Sequence, residues 1–132
     1  MRKLSNVLIV DNDKDYSFLL SESLKVLSNV VKCKYTFSAE EGTNYLFTTL
    51  KLPDLIFLDI NLPESRGVKF LSLVKSELRF MNIPIIIISR SISQFEEEQM
   101  AKCGAKNLII KPAHFGDLEL IIKKFIKKLS FF

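Results

Sequence analysis

The segment VLIVDND places Asp11 and Asp13 directly after a run of four apolar residues, with Asn12 between them. Asp15 continues the alternation by one more step. Clustered carboxylates can hold a hard divalent cation, and one of them can attack a phosphorus atom as a nucleophile. Further polar residues follow later apolar runs, at Asp59, Asn61, Ser89, Arg90, Ser91 and Lys111.

Five short apolar runs position these polar residues. They cover residues 7–10, 30–37, 55–60, 85–88 and 108–110, and their lengths and β-branched residues are typical of buried strands. Helical patterns lie between the runs and after the last one. This alternation predicts an α/β fold, a parallel doubly wound sheet with right-handed crossovers.

The helical patterns are read from apolar spacing and from capping residues. Ser38 precedes the second pattern as a plausible N-cap, with Glu41 three residues on, and Gly104 is the expected C-cap of the fourth pattern, residues 94–103. We expect one inward side in each of four helices: Leu20, Leu24 and Leu27; Ala39, Tyr45, Leu46 and Leu50; Phe70, Leu71, Val74 and Leu78; Leu118, Ile121, Ile122, Phe125 and Leu129.

In such a sheet, functional groups gather outside the carboxyl ends of the strands. The ends of four predicted strands carry polar residues: Asp11 to Asp13, Asp59 and Asn61, Ser89 to Ser91, and Lys111. We therefore expect Asp11, Asp59 and Lys111 to be neighbours, although they are distant along the chain.

Composition bounds the class of protein. The chain has 132 residues, of which 48% are hydrophobic, which is enough for one domain with a continuous core. Its two cysteines have no zinc or disulfide spacing, and no apolar run is long enough for a signal peptide or a membrane span, so we expect a cytoplasmic protein that does not bind membranes.

The net charge of +4 does not by itself indicate a nucleic-acid partner. No aromatic residues alternate with basic ones in the way that base stacking requires, so we expect no direct nucleic-acid binding. Much of the excess charge lies at helical spacing in the last segment and predicts a solvated helix face, formed by Lys123, Lys124, Lys127 and Lys128.

Two alternatives use the acidic cluster differently. An EF-hand calcium loop would take Asp11, Asp13, Asp15 and Glu22 as ligands, but its sixth position needs glycine and is occupied by Tyr16. A haloacid-dehalogenase-type phosphohydrolase would use Asp11 as nucleophile and Asp13 as acid and base, with Ser89 and Lys111 in its next two motifs. That alternative leaves Asp59 without a role.

Four segments in order, VLIVDND, DLIFLDINLP, IPIIIIS and IIKP, resemble the receiver domain of bacterial response regulators. The resemblance covers essentially the whole chain. It implies a flavodoxin-like (βα)5 three-layer sandwich with strand order 2-1-3-4-5, as one receiver domain over residues 1–132 without an output domain.

The resemblance also implies roles for individual residues. Asp59 would accept a phosphoryl group from a sensor histidine kinase or a phosphotransfer protein, and Lys111 and Ser89 would contact that group. Mg²⁺ would be bound by Asp11, Asp59, the carbonyl of Asn61 and Asn12. The peptide before Pro112 is usually cis in the family. The output would be a surface of the fourth helix, fifth strand and fifth helix, read by an unidentified downstream protein, and the only reaction expected is phosphorylation and dephosphorylation of the chain itself.

Several positions depart from the family pattern. Asn12 replaces a second acid, which should weaken Mg²⁺ binding, and Asp13 is the nearest substitute. Arg90 stands where the family has a small residue, and could clamp a phosphoryl oxygen or block small phosphate donors. Leu108 replaces the aromatic switch residue, while Asn61 and Ser91 occupy positions that tune hydrolysis. A receiver that docks partners without being phosphorylated is the competing interpretation.

Overall fold

The structure is a computed structural model that describes residues 3–131. The predicted domain includes Met1, Arg2 and Phe132, which lie outside the described residues. Strands and helices alternate along the chain as β1 (Asn6–Val10), α1 (Lys14–Leu27), β2 (Lys32–Thr36), α2 (Ala39–Thr48), β3 (Leu55–Asp59), α3 (Arg66–Ser76), β4 (Ile85–Ser89), α4 (Gln94–Lys102), β5 (Leu108–Ile110) and α5 (Phe115–Lys128). A short 3₁₀ turn, Pro63–Ser65, precedes α3.

The five strands form one parallel sheet in the order β2-β1-β3-β4-β5. This order and the alternation of elements confirm the predicted flavodoxin-like fold. The register pairs Val10 with Leu58, Asp59 with Ile88, and Ser89 with Ile110. The last residues of the central strands therefore lie side by side at one edge of the sheet.

Alternating side chains of the strands pack into two cores, one on each face of the sheet. Leu8, Leu58 and Ile87 belong to the core under α2, α3 and α4. Ile9 and Phe57 belong to the core under α1 and α5. Because both faces are covered, the strands read as continuous apolar runs rather than as alternating ones.

The helices differ in how many apolar side chains they bury in the two cores. Helix α5 buries Leu118, Ile122 and Ile126 and exposes the four predicted lysines, while Ile121, Phe125 and Leu129 are half-buried at its margin. Helix α4 is nine residues long and buries only Met100. α4 is thus the helix with the least apolar anchoring.

Two predicted helices end earlier than their apolar spacing indicated. Helix α2 ends at Thr48 and α3 at Ser76, so Leu50 and Leu78 are 106% and 84% exposed instead of facing the core. Apolar periodicity continued past both ends, but the backbone after each helix turns extended, at Thr49 and Glu77.

The predicted N-cap of α2 is confirmed, whereas the predicted C-cap of α4 lies one residue too far along the chain, and one strand is shorter than predicted. The Ser38 side chain accepts a hydrogen bond from the Glu41 N–H at 3.1 Å, while α4 is capped by Cys103 and Gly104 follows that cap with a φ of +72°. The second strand begins at Lys32 rather than at Val30, which is 48% exposed. β2 and β5 are the two edge strands, and β2 carries the exposed Lys32 and Lys34.

No helix within residues 3–131 is long and apolar enough to cross a membrane. Both cysteines, Cys33 and Cys103, are free thiols.

Candidate functional site

Three ionic side chains from three strand ends meet in one buried site, as the sequence predicted. The Lys111 Nζ lies 3.0 Å from Asp11 Oδ2 and 3.5 Å from Asp59 Oδ2. The side chains of Lys111 and Asp59 are 5% and 8% exposed, and that of Asp11 is fully buried. Backbone N–H groups fix both acids, since Asp13 N donates to Asp11 Oδ1 at 2.9 Å and Asn61 N donates to Asp59 Oδ1 at 2.8 Å.

Tyr16 covers the lysine and was missed as a site residue. The Lys111 Nζ lies 4.5 Å from the centre of the Tyr16 ring, within the range of a cation–π contact. The Tyr16 hydroxyl is buried without a hydrogen-bond partner among the described residues, and burial raises the pKa of this phenol to about 12. In the sequence Tyr16 served only as an argument against a calcium loop. The signal available in the sequence was its place directly after the acidic cluster, in the first turn of α1.

Burial dominates the electrostatics of Asp11. The pKa of this carboxyl is raised from 3.8 to about 6, chiefly by burial and also by the nearby Asp59, although the Asp13 N–H and Lys111 partly offset the rise. Although Asp11 Oδ2 and Lys111 Nζ are close, they are not aligned as a hydrogen bond, and both atoms are buried without a hydrogen-bond partner in the described part of the chain. The site therefore holds acidic charge that its own residues only partly compensate.

This arrangement fits a Mg²⁺ ion. Mg²⁺ takes one or two carboxylates and fills its remaining positions with water and substrate oxygens. Asp11 and Asp59 supply two buried carboxylates, and the Oδ2 of Asp11 has no hydrogen-bond donor. No group of three or more His, Cys, Asp or Glu side chains within residues 3–131 is placed to hold a metal, so Asp13 does not form such a group with the other two acids.

Asn61 connects the end of β3 to the loop between β4 and α4. Its Oδ1 accepts hydrogen bonds from Ser89 Oγ at 2.9 Å and from Arg90 N at 3.0 Å. Its Nδ2 donates to the Ser91 carbonyl at 3.1 Å and to Glu96 Oε2 at 3.1 Å. The Ser91 carbonyl is also in contact with the Ser89 hydroxyl, whose one proton is shared between that oxygen and Asn61 Oδ1. Glu96 was missed, although the pattern SQFE that contains it is a readable capping box.

Asp13 and Arg90 lie together at the mouth of the site. Asp13 caps α1 by accepting from Tyr16 N at 3.0 Å, which lowers the pKa of its carboxyl. Its Oδ2 lies 3.4 Å from the Arg90 guanidinium, and the Arg90 side chain is 76% exposed. Asn12 is exposed and lines a separate small cavity together with Leu62 and Pro63. Its role as a metal ligand stays a prediction.

Two backbone features complete the site. The expected cis peptide before Pro112 is wrong for this structure, in which the peptide bonds of residues 3–131 are all trans; the trans form is the more stable one even before proline. A Cβ at Gly67 would lie 2.5 Å from the Ile60 carbonyl oxygen and 2.8 Å from that of Asp59. Only glycine therefore lets α3 approach the end of β3 so closely.

A family model for the response regulator receiver domain matches residues 7–123. The chain belongs to this family. Receiver domains of two-component systems accept a phosphoryl group on an aspartate, typically bind Mg²⁺ in an acidic pocket, and interact with histidine kinases or phosphotransfer proteins. The EF-hand and phosphohydrolase alternatives are thereby wrong.

Individual receiver proteins support the assignment. The putative two-component response regulator ARR21 of Arabidopsis thaliana is 30% identical over 120 residues, and the regulatory protein AtoC of Escherichia coli K12 is 27% identical over 133 residues. The aligned residues are 88% and 98% of this chain, but the chain spans only 18% and 27% of those proteins.

Solved structures agree in fold. The phosphorylated cyanobacterial phytochrome response regulator RcpA has a TM-score of 0.84 at 25% identity, covering 94% of this receiver and 92% of that chain. The chemotaxis protein CheY4 of Vibrio cholerae has a TM-score of 0.77 at 18% identity, covering 95% of this receiver and 98% of that chain.

Proposed function

We propose that this receiver accepts a phosphoryl group on Asp59 from a sensor histidine kinase or a phosphotransfer protein. The observation that carries the proposal is the joint burial of Asp59, Asp11 and Lys111 in one site, with the Lys111 ammonium within 3.5 Å of both acids. This is the combination that in-line attack by a carboxylate on a phosphoryl group requires, since negative charge must be neutralised on both reactants.

The side chains divide the work of the transfer. A carboxylate oxygen of Asp59 forms the bond to phosphorus while the bond from phosphorus to the donor's imidazole nitrogen breaks, and the electron pair stays on that nitrogen. Lys111 offers its ammonium to a phosphoryl oxygen. Mg²⁺ held by Asp11, Asp59 and the carbonyl of Asn61 would neutralise the remaining charge on the phosphoryl group.

Ser89 is the proposed sensor of the new phosphoryl group. In the resting structure its buried hydroxyl is engaged by Asn61 and by the Ser91 carbonyl. Donating to a phosphoryl oxygen instead would pull the loop after β4 toward Asp59.

The proposed output surface is formed by α4, β5 and α5. Four large apolar side chains on these elements are notably exposed: Phe95 (51%), Ile110 (46%), Phe115 (39%) and Leu120 (63%). Leu108 leaves β5 without the aromatic switch residue, so the movement of the loop after β4 must act on this surface directly. A downstream protein is the proposed reader.

The mouth of the site should reduce its dependence on Mg²⁺. Asn12 and Arg90 each add one positive unit relative to the family pattern, and Arg90 lies beside Asp13 at the rim. We propose that Mg²⁺ binds weakly and that Arg90 replaces part of its charge. Titrating Mg²⁺ against phosphorylation tests this, because Asn12→Asp should tighten Mg²⁺ binding and Arg90→Ala should increase the requirement for it. Unchanged Mg²⁺ dependence in both variants would contradict the idea.

The central test is phosphorylation by acetyl phosphate or a kinase, followed by Phos-tag electrophoresis, with Asp59→Asn as the control. Wild type should shift in mobility and Asp59→Asn should not. If neither protein shifts with any donor while partner binding persists, the chain is an interaction module that works without phosphorylation. Ser91 and Asn61 are the proposed modulators of the lifetime of the phosphorylated form.

A further inference from the structure

The side-chain amide of Asn61 uses each of its polar atoms twice. Oδ1 accepts from Ser89 Oγ and Arg90 N, and Nδ2 donates to the Ser91 carbonyl and to the Glu96 carboxylate. Only one orientation of the amide satisfies these partners, because turning it over would set its NH₂ against the Arg90 N–H and its oxygen against the Ser91 carbonyl and the Glu96 carboxylate. Three of the four partners lie between the end of β4 and Ser91, and the fourth, Glu96, lies on α4.

Glu96 has two partners of its own. Its Oε1 accepts from the Ser93 N–H at 3.0 Å and its N–H donates to Ser93 Oγ at 3.1 Å, which closes the capping box of α4. Its Oε2 accepts from Asn61 Nδ2 at 3.1 Å, and the same Nδ2 lies 3.4 Å from Oε1. One carboxylate therefore joins the first turn of α4 to the residue two positions after the phosphoacceptor.

We propose that Glu96 is a positioning residue that holds the Asn61 amide in its resting orientation and transmits movement of the loop between β4 and α4 to the first turn of α4. The inference rests on the proposed phosphorylation of Asp59. When the Ser89 hydroxyl turns to a phosphoryl oxygen, Asn61 loses one of the two donors on Oδ1 but keeps its bond to Glu96. The displacement of the loop then reaches the first turn of α4.

Helix α4 is suited to follow such a displacement. Met100 is its only buried residue, so little apolar contact resists a shift of its N-terminal turn. The link itself is exposed and single, so its effect on exchange or affinity should be modest, on the order of three- to tenfold for one charge-assisted hydrogen bond.

The test uses a variant that separates the two partners of Glu96. In Glu96→Gln the side chain is uncharged and has one acceptor oxygen; with that oxygen on the Ser93 N–H, its NH₂ faces the Asn61 NH₂, so the 3.1 Å bond is lost and only the longer 3.4 Å contact of Asn61 Nδ2 with the capping oxygen remains. Ser93→Ala is the matched control, because it removes the serine from the cap and leaves both oxygens of Glu96 in place. Hydrogen exchange of backbone amides is measured first without Mg²⁺ or any phosphate analogue.

Glu96→Gln should raise the exchange rate of the Arg90 amide, which donates to Asn61 Oδ1, by about three- to tenfold. Ser93→Ala should instead affect the amides of the first turn of α4 and leave Arg90 at the wild-type rate. An unchanged Arg90 rate in Glu96→Gln, or an equal increase in both variants, would overturn the inference.

A second arm adds Mg²⁺ and beryllofluoride as the acyl-phosphate mimic. In wild type, exchange of the α4 amides should change on binding, and in Glu96→Gln this change should shrink at equal saturation. An equal response in both proteins would overturn transmission through Glu96. Failure of wild type to bind beryllofluoride would instead count against the phosphoacceptor proposal, and the first arm would still judge the link by itself.

Discussion

The two halves of the site differ in how they are built. Asp11, Lys111 and Tyr16 form a dry, ionic half, with Lys111 only 5% exposed and backed by the core under α1 and α5. Asn61, Arg90 and the loop to α4 form a solvated, hydrogen-bonded half next to the helix with the least apolar anchoring. The comparison teaches that charge compensation lies in the tightly buried half, whereas the proposed response lies beside a helix whose shift little apolar contact resists.

The largest expected effect lies in the core behind the dry half. Ile122 of α5 is fully buried, and Ile122→Ala should lower the free energy of unfolding by about 2 to 5 kcal/mol, because it removes apolar contact and leaves a cavity. Urea denaturation measures this loss. If Phe95→Ala on α4 lowered the free energy of unfolding by as much, the two helices would not differ in anchoring as the structure indicates.

The next effect is the pH dependence of Asp11. Burial raises the pKa of Asp11 to about 6 in the folded protein, so the Asp11 carboxyl ionises at a lower pH in the unfolded chain than in the folded one. Ionisation of Asp11 therefore lowers stability between about pH 4 and pH 6 when no divalent cation is bound. From pH 4 to pH 7, the free energy of unfolding of Asp11→Asn should therefore rise by about 1 to 3 kcal/mol relative to that of wild type.

Urea denaturation in EDTA at both pH values measures that gain. Asp13→Asn is the control, since the pKa of Asp13 is lowered and its ionisation supports the fold at higher pH. A difference between Asp11→Asn and wild type that does not vary with pH would show that Asp11 is not part of a dry site.

Tyr16 tests the same half with a smaller effect. Tyr16→Phe removes a buried hydroxyl that has no hydrogen-bond partner among the described residues and keeps the ring over Lys111, so it should stabilise the fold by about 1 kcal/mol. Tyr16→Leu removes the cation–π contact as well, and should slow phosphorylation of Asp59 by about three- to tenfold. Equal phosphorylation rates in the two variants would show that the ring over Lys111 does not contribute to the reaction.

The smallest effect on stability is expected at the solvated half. Arg90→Ala breaks an exposed ion pair with Asp13, and should change the free energy of unfolding by less than about 0.5 kcal/mol. Its rate of phosphorylation by acetyl phosphate should nevertheless differ from that of wild type, because Arg90 stands at the mouth. A large loss of stability would mean that this half is as tightly built as the other.

The sequence predicted the sheet and the ionic centre because both follow from local patterns. Apolar runs identify the strands, and the parallel order brings Asp11, Asp59 and Lys111 to one edge. Tyr16 and Glu96 were missed because their contacts depend on how α1 and α4 rotate over the sheet, which spacing alone does not fix. Leu50 and Leu78 were placed in the core because apolar periodicity continued beyond the true ends of α2 and α3.

The lysines of β2 also affect how the protein behaves at high concentration. An unpaired strand edge is the usual template on which a second chain adds to a sheet. A second copy of β2 aligned along this edge would bring like ammonium groups of Lys32 and Lys34 together, and the opposite edge, β5, offers only three residues. Association of two copies along β2 should therefore increase with salt concentration, because salt screens the repulsion between the lysines.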